Sequence, residues 1–217
     1  MTLTRRALSA VFPWAFPRDK SAPTESVEPV IAGERVRLRV LRESDAEAMW
    51  RIARDPVVTR FLPWEPMASP SAILPFIRDQ EVRRVRGDAL CFAVLDNDTG
   101  DLIGSTDLVD MRRYLQTGAE IGYLLGRDYW GRGIMSEAAT LTARYAFDAL
   151  KLKRLVAYAD IENRASRRVL EKLGMTQTDN EWRTVKRERR LYLRYEVSYY
   201  PDGGSVATNE VTFVEGE

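Results

Sequence analysis

The chain has 217 residues that are 45% apolar, 30% charged and 10% aromatic, with 33 Lys and Arg against 32 Asp and Glu for a net charge of +1. This composition is that of a soluble globular chain. It excludes collagen, coiled coil or general disorder as the main state, and the balanced charge gives no whole-molecule field for nucleic acid or an anionic membrane. The single cysteine, Cys91, rules out an intramolecular disulfide or a thiolate metal cluster, and the absence of histidine rules out Ser-His-Asp and Cys-His catalysis and histidine-ligated zinc.

Any proton transfer therefore falls to a carboxylate, a tyrosine, a lysine, water or the substrate itself. No run approaches the roughly 18 apolar residues of a membrane helix. The opening segment MTLTRRALSAVFPWAFPRDK has the basic start and apolar run of a targeting peptide, but Pro13 and Pro17 interrupt the run and no small-x-small cleavage site follows. The expectation is a flexible or surface-docked extension over residues 1–30 on a cytoplasmic protein. A domain over 31–200 and a polar, acidic tail over 201–217 would follow it.

Within the domain, Val36, Leu38 and Val40 alternate with Arg35, Arg37 and Arg39, predicting a half-buried strand with a basic outer face. Ser44 and Asp45 open a helix carrying Ala46, Met49, Trp50 and Ile52 that ends near Asp55-Pro56. The segment PVVTRFLPWEPMASP reads as broken chain. A second helix then places Ile73, Phe76, Ile77 and Val82 on its apolar side and stops at Gly87. Cys91 to Leu95, the turn DNDTG and Leu102 to Val109 read as a hairpin, and Glu120 to Leu125 as a further strand.

Gly131 to Leu150 carries the strongest helical pattern, with Ile134, Ala138, Leu141, Tyr145 and Ala149 on one stripe. Leu155 to Ile161 is a strand, Asn163 to Leu173 a helix stopped by Gly174, and RRLYLRYEVSYY a last strand. Antiparallel strands followed by strand, helix, strand and helix predict a mixed α/β domain with one crossover in its second half. A ligand would sit near that crossover.

The segment EIGYLLGRDYWGRGIMSEA sets Gly131 and Gly133 between a strand and the best helix. Glycines there let the backbone approach a ligand beside the unpaired first amides of a helix, which suits an anion such as a pyrophosphate. A tight connection holding nothing has the same pattern. Neither the full Walker sequence nor GxGxxG is present, since Ser136 stands three residues after Gly133, so nucleotide hydrolysis and dinucleotide binding recede.

That segment, together with RLVAYADIENRASRRVLEKLGM, resembles the GNAT superfamily of acyl-CoA-dependent N-acyltransferases, in particular the RimJ/RimL-like branch that acetylates amino termini of ribosomal proteins. RLRVLRESDAEAMW and DPVVTRFLPWEP extend the resemblance upstream, over residues 31 to 197. It implies a central, mostly antiparallel sheet splayed at the coenzyme site and flanked by helices. It also implies acetyl-CoA as co-substrate without a metal, and attack by a primary amine in a ternary complex.

In that family a Gln/Arg-x-x-Gly-x-Gly/Ala turn holds the coenzyme pyrophosphate by main-chain amides. Here the turn is Asp128, Tyr129, Trp130, Gly131, Arg132 and Gly133, leading into Ile134 and Met135, and Asp128 departs from the consensus at the first position. The resemblance implies that the pantetheine arm runs along Leu124 and Leu125, with a strand amide near Leu124 polarising the thioester carbonyl, and that Asn163 and Ser166 face the arm and thioester. Ser166 would protonate the departing sulfur. Asn163 also suits a plain helix N-cap. Arg132, Arg167 and Arg168 could reach coenzyme phosphates.

Glu120 is the candidate base, followed by Asp107 and then Asp110, while Glu137 would complement the dipole of the long helix. Trp64 would wall the acceptor site, and Cys91 reads as a core cysteine. The acceptor is a protein amino terminus, a small amine or an amino sugar, and the protein a monomer or homodimer. Two other readings stay open: a non-catalytic coenzyme-binding module, and an RNA- or ribosome-binding protein using the stretch EWRTVKRERRLYLRYE.

Overall fold

A computed structural model describes residues 28–199. The expected extension over 1–30 and the tail over 201–217 lie, but for Glu28 to Val30, outside the described residues. One eight-stranded sheet has the order β1-β2-β3-β4-β5-β6-β8-β7. Its strands are β1 (Val30–Ala32), β2 (Val36–Val40), β3 (Leu90–Asp96), β4 (Leu102–Val109), β5 (Gly118–Leu125), β6 (Arg154–Asp160), β7 (Thr176–Val185) and β8 (Glu188–Ser198). All neighbours run antiparallel except β5 and β6. That parallel pair is joined by α4 (Ile134–Arg144), the expected crossover.

The alternation in β2 sends Val36, Leu38 and Val40 to one face, where they meet Phe92, Val94, Ile134 and Ala138. On the same face Ala119, Ile121, Leu155 and Ala157 pack against Phe147 of the crossover and Leu170 of α5 (Arg164–Lys172). The opposite face carries α1 (Ala46–Ala53) and α3 (Leu74–Val85). Met49, Ala53 and Ile77 of these helices close over Cys91, Ala93 and Leu95. The sheet is thus covered on both sides, and its apolar residues are buried on two faces.

Several expectations are corrected. The basic outer face of β2 is not all solvent-facing, because Arg39 donates two hydrogen bonds of 2.7 Å to the buried Asp45 carboxylate at the entrance to α1. The broken segment contains a one-turn helix, α2 (Pro56–Thr59), started by Pro56 and by Asp55 accepting from the Val57 amide. Phe76 and Val82 are exposed on α3, and Gln80 takes a buried place instead. Helical spacing carries Ile73 and Ile77 onto Gln80 rather than onto Val82.

The long helix ends in a π-type turn, Tyr145–Ala149. Its wider turn shifts the phase, so Ala146 and Phe147 are buried while Ala149 faces solvent. A strand without any sequence signal, β7, lies at the sheet edge and is exposed along nearly its whole length.

Candidate active site

The crossover positions the site. β5 and β6 pair only at Gly118↔Arg154, Ala119↔Leu155 and Glu120↔Val156. Beyond Glu120, β5 stays with β4 while β6 stays with β8, so the two strands separate and the edge of Ile121–Leu125 that faces β6 has no strand beside it. Backbone amides and carbonyls on such an edge seek a partner. Leu125 is buried and Leu124 half-buried along this opening.

The splay runs into the glycine turn. Gly131 and Gly133 have φ of +74° and +77°, a region that side chains strain to adopt, and a Cβ on Gly131 would meet nothing within 4 Å. Gly133 is the N-cap of α4 and offers no side-chain cap, leaving the first amides of Ile134, Met135 and Ser136 without an intrahelical acceptor. Trp130 is largely exposed, and its indole braces the turn by donating to the Leu125 carbonyl at 2.8 Å. The residues present therefore fit a pyrophosphate: open space beside Gly131, free amides and the positive end of a helix.

Arg35 holds this turn from below. Its guanidinium donates to the Arg132 carbonyl at 2.7 Å and to Glu137 Oε2 at 2.7 Å, and its backbone amide donates to Glu137 Oε1 at 2.8 Å. The amides and guanidinium of this cluster hold the Glu137 carboxyl below its ordinary value against the opposing effect of burial. Glu137 thus complements the helix dipole, as expected, and also fastens α4 to the start of β2. Among the suggested phosphate-reaching arginines, Arg132 and Arg168 are exposed. Arg167 is turned inward onto the Tyr195 hydroxyl and the Ile161 carbonyl.

Across the opening, Asn163 caps α5 by accepting from the Ser166 amide at 3.1 Å. Ser166 meets a residue the sequence did not single out. The Tyr123 hydroxyl lies 3.0 Å from both the Ser166 carbonyl and Ser166 Oγ. A phenol has one hydrogen; if the carbonyl takes it, the serine hydroxyl donates to the phenol oxygen. Burial pushes the Tyr123 phenol well above its ordinary value, which keeps it protonated near neutral pH. The alternation of β5 could have shown Tyr123 on the α5 side, opposite Glu120, Gly122 and Leu124.

The other face of the splay carries the acids. Glu120 is half-buried, and desolvation raises its carboxyl against the lowering effect of Arg183. Asp107 stands opposite Gly122 across β4 and β5, and burial lifts it to about 6. Asp110 is committed to Arg83 at 2.7 Å. Burial pushes the Cys91 thiol well up, in keeping with a core cysteine. Trp64 lies partly buried with Trp50, Met67 and Leu124 on this face.

The loop carrying Trp64 is pinned to the β7–β8 hairpin by Lys186 Nζ donating to the Thr59 carbonyl at 2.8 Å and the Tyr192 hydroxyl donating to the Phe61 carbonyl at 3.3 Å. Arg183 stacks on Tyr158 with its guanidinium 3.6 Å from the ring centre. Arg183, held over the Tyr158 ring, is thus within electrostatic reach of Glu120 on this side of the splay.

The GNAT acetyltransferase domain model matches residues 35–176. The Uncharacterized N-acetyltransferase p20 of Bacillus licheniformis is 32% identical over 143 residues, 65% of this chain and 79% of that protein. The [Ribosomal protein uS5]-alanine N-acetyltransferase of Escherichia coli is 27% identical over 166 residues, 69% of this chain and 84% of that enzyme. The fold is similar to that of Mycobacterium smegmatis RimJ, solved in complex with CoA-disulfide, at a TM-score of 0.70 and 24% identity over 79% of this chain and 88% of that one. The chain belongs to the GNAT acetyltransferase family and is an N-acetyltransferase.

Proposed function

We infer that the protein uses acetyl-CoA to acetylate a primary amine, and that the amine is the amino terminus of a protein. The observation that carries this is the splayed edge of β5 running directly into an open, uncapped glycine turn. Similarity to the E. coli uS5-alanine enzyme supports the choice of acceptor.

When bound, acetyl-CoA would supply an acetyl group activated as a thioester. The amides of Gly131 to Met135 would hold its pyrophosphate, with Arg132 at the rim, while Leu124 and Leu125 would line the pantetheine arm and offer an amide to the carbonyl oxygen. Trp130 keeps the turn in shape, and Asn163 presents Ser166 at the head of α5. Glu120 is the carboxylate that meets the acceptor ammonium and takes its proton, with Trp64 among the groups walling the acceptor side. Ser166, tied to Tyr123, would return a proton to the departing sulfur.

Calorimetric titration of acetyl-CoA and desulfo-CoA tests the cradle. Wild type is expected to bind at micromolar Kd, and Gly131→Val with Gly133→Val to abolish binding while circular dichroism shows the fold retained. Wild type that binds neither ligand overturns the proposal. A screen with hexapeptides beginning in alanine, against polyamines and aminoglycosides, then tests the acceptor.

A further inference from the structure

On the acid face of the splay, one buried group has no use in the scheme above. Asp107 Oδ1 is sealed from solvent and accepts no hydrogen bond, although the residue as a whole keeps some accessible surface. An unpaired buried carboxylate oxygen is costly, so its retention asks for a reason. The oxygen lies against the backbone of Gly122, where even a methyl group is excluded: a Cβ on Gly122 would come within 2.3 Å of Oδ1. Gly122 is two residues past Glu120, where β5 has already left β6. Glu120 and Gly122 share a face of β5, so the Asp107 carboxyl lies deeper on the same side of the opening as Glu120.

We propose that Asp107 is a second proton acceptor for acyl transfer, receiving from Glu120 the proton taken from the acceptor amine. The proposal rests on the acetyltransferase reading above. The ammonium gives one proton to Glu120 and thence to Asp107, and the neutral nitrogen uses its lone pair to form the C–N bond as the thioester C–S bond breaks. The second nitrogen proton leaves with the sulfur as a thiol, and Asp107 discharges its own to solvent.

The surroundings suit a carboxyl that holds a proton near neutrality. Desolvation lifts Asp107 to about 6, offset in part by the charge of Arg83 on α3. Cys91 on β3 opposes it with a neutral thiol, and Asp110, just beyond β4, is neutralised by Arg83. Glu120 feels Asp107 and Asp110 as like charges and Arg183 and Arg113 as opposite ones. Two interacting carboxylates of this kind tend to hold one proton between them and titrate as a pair.

The test uses the full chain, acetyl-CoA and an alanine-leading hexapeptide. Asp107→Asn is expected to lower kcat about 100-fold at pH 7 with KM for acetyl-CoA unchanged. By pH 9, where a peptide amine of pKa about 8 is already mostly neutral, the deficit should shrink below about tenfold. Carboxyl-13C aspartate NMR should show one resonance titrating near 6 in wild type and missing in the variant.

A kcat within threefold of wild type, a deficit equal at both pH values, or an Asp107 resonance titrating below pH 5 each overturns the proposal. Should Asp107→Asn misfold, Asp107→Ala gives the same readouts. Failure of the wild type to acetylate any peptide while still binding acetyl-CoA sinks the peptide acceptor alone, and the NMR titration still decides whether Asp107 can hold the proton.

Discussion

Asp107 and Glu137 are carboxylates on two elements of one site, and their surroundings push them in opposite directions. Asp107 is raised by burial to about 6, above an unfolded value near 3.9. A group raised on folding contributes stability that is whole below its unfolded pKa and lost as pH rises through the folded one. Ionised Asp107 therefore costs the protein stability above pH 6, by at most about 3 kcal/mol for a shift of this size. Asp107→Asn should match wild type near pH 4 and exceed it in thermal midpoint by pH 7 to 8. Loss of activity with gain of stability would separate this residue from an ordinary structural carboxylate. The opposite sign, a variant less stable at pH 8 than at pH 4 relative to wild type, would refute the burial argument.

At the scale of elements, the binding turn depends on how α4 is fastened. Glu137 accepts from the Arg35 amide and side chain and, at 3.3 Å, from the Val36 amide, while Arg35 also reaches the Arg132 carbonyl. Glu137→Gln keeps the size and removes the charge, so it should cost about 1–2 kcal/mol in urea unfolding and raise KM for acetyl-CoA several-fold with little change in kcat. An unchanged KM would mean that the turn holds its shape unaided. Because Glu137 is lowered on folding, its contribution is present above an unfolded pKa near 4.3 and fades as pH falls.

The β7–β8 hairpin shows why elements can escape notice. Lys186 and Arg187 form its two-residue turn with φ of 51° and 66°, a conformation that Asn-Gly announces and Lys-Arg does not. β7 has no apolar alternation because it lies at the edge and buries almost nothing. The elements that were legible, β2, β3, β4, β5, β6 and β8 with α1, α3, α4 and α5, each press apolar residues into the core.

For the whole molecule, the domain boundaries proposed from composition place the enzyme over 31–200 and treat 1–30 and 201–217 as additions. Among the described residues, the eight strands of the sheet run from Val30 to Ser198. A chain cut to residues 28–199 should therefore melt cooperatively and bind acetyl-CoA within about threefold of the full-length Kd, a change of under about 1 kcal/mol. Tenfold weaker binding would show that one of the ends belongs to the coenzyme site.

By itself the sequence determined the fold class, the crossover, the family and the glycine turn. The family rests on the resemblance of EIGYLLGRDYWGRGIMSEA and RLVAYADIENRASRRVLEKLGM, and the rest on local patterns: period-2 and period-3.6 apolar spacing, caps, and glycines between a strand and a helix. Asn163 was legible as a cap for the same reason. Only the tertiary structure decided which side chains meet. Tyr123 reaches Ser166 over 43 residues, Arg35 reaches Glu137 over 102, and Asp107 lies against Gly122 only through the register of β4 on β5. Such pairings depend on strand register and on where two strands part, quantities that no window along the chain contains.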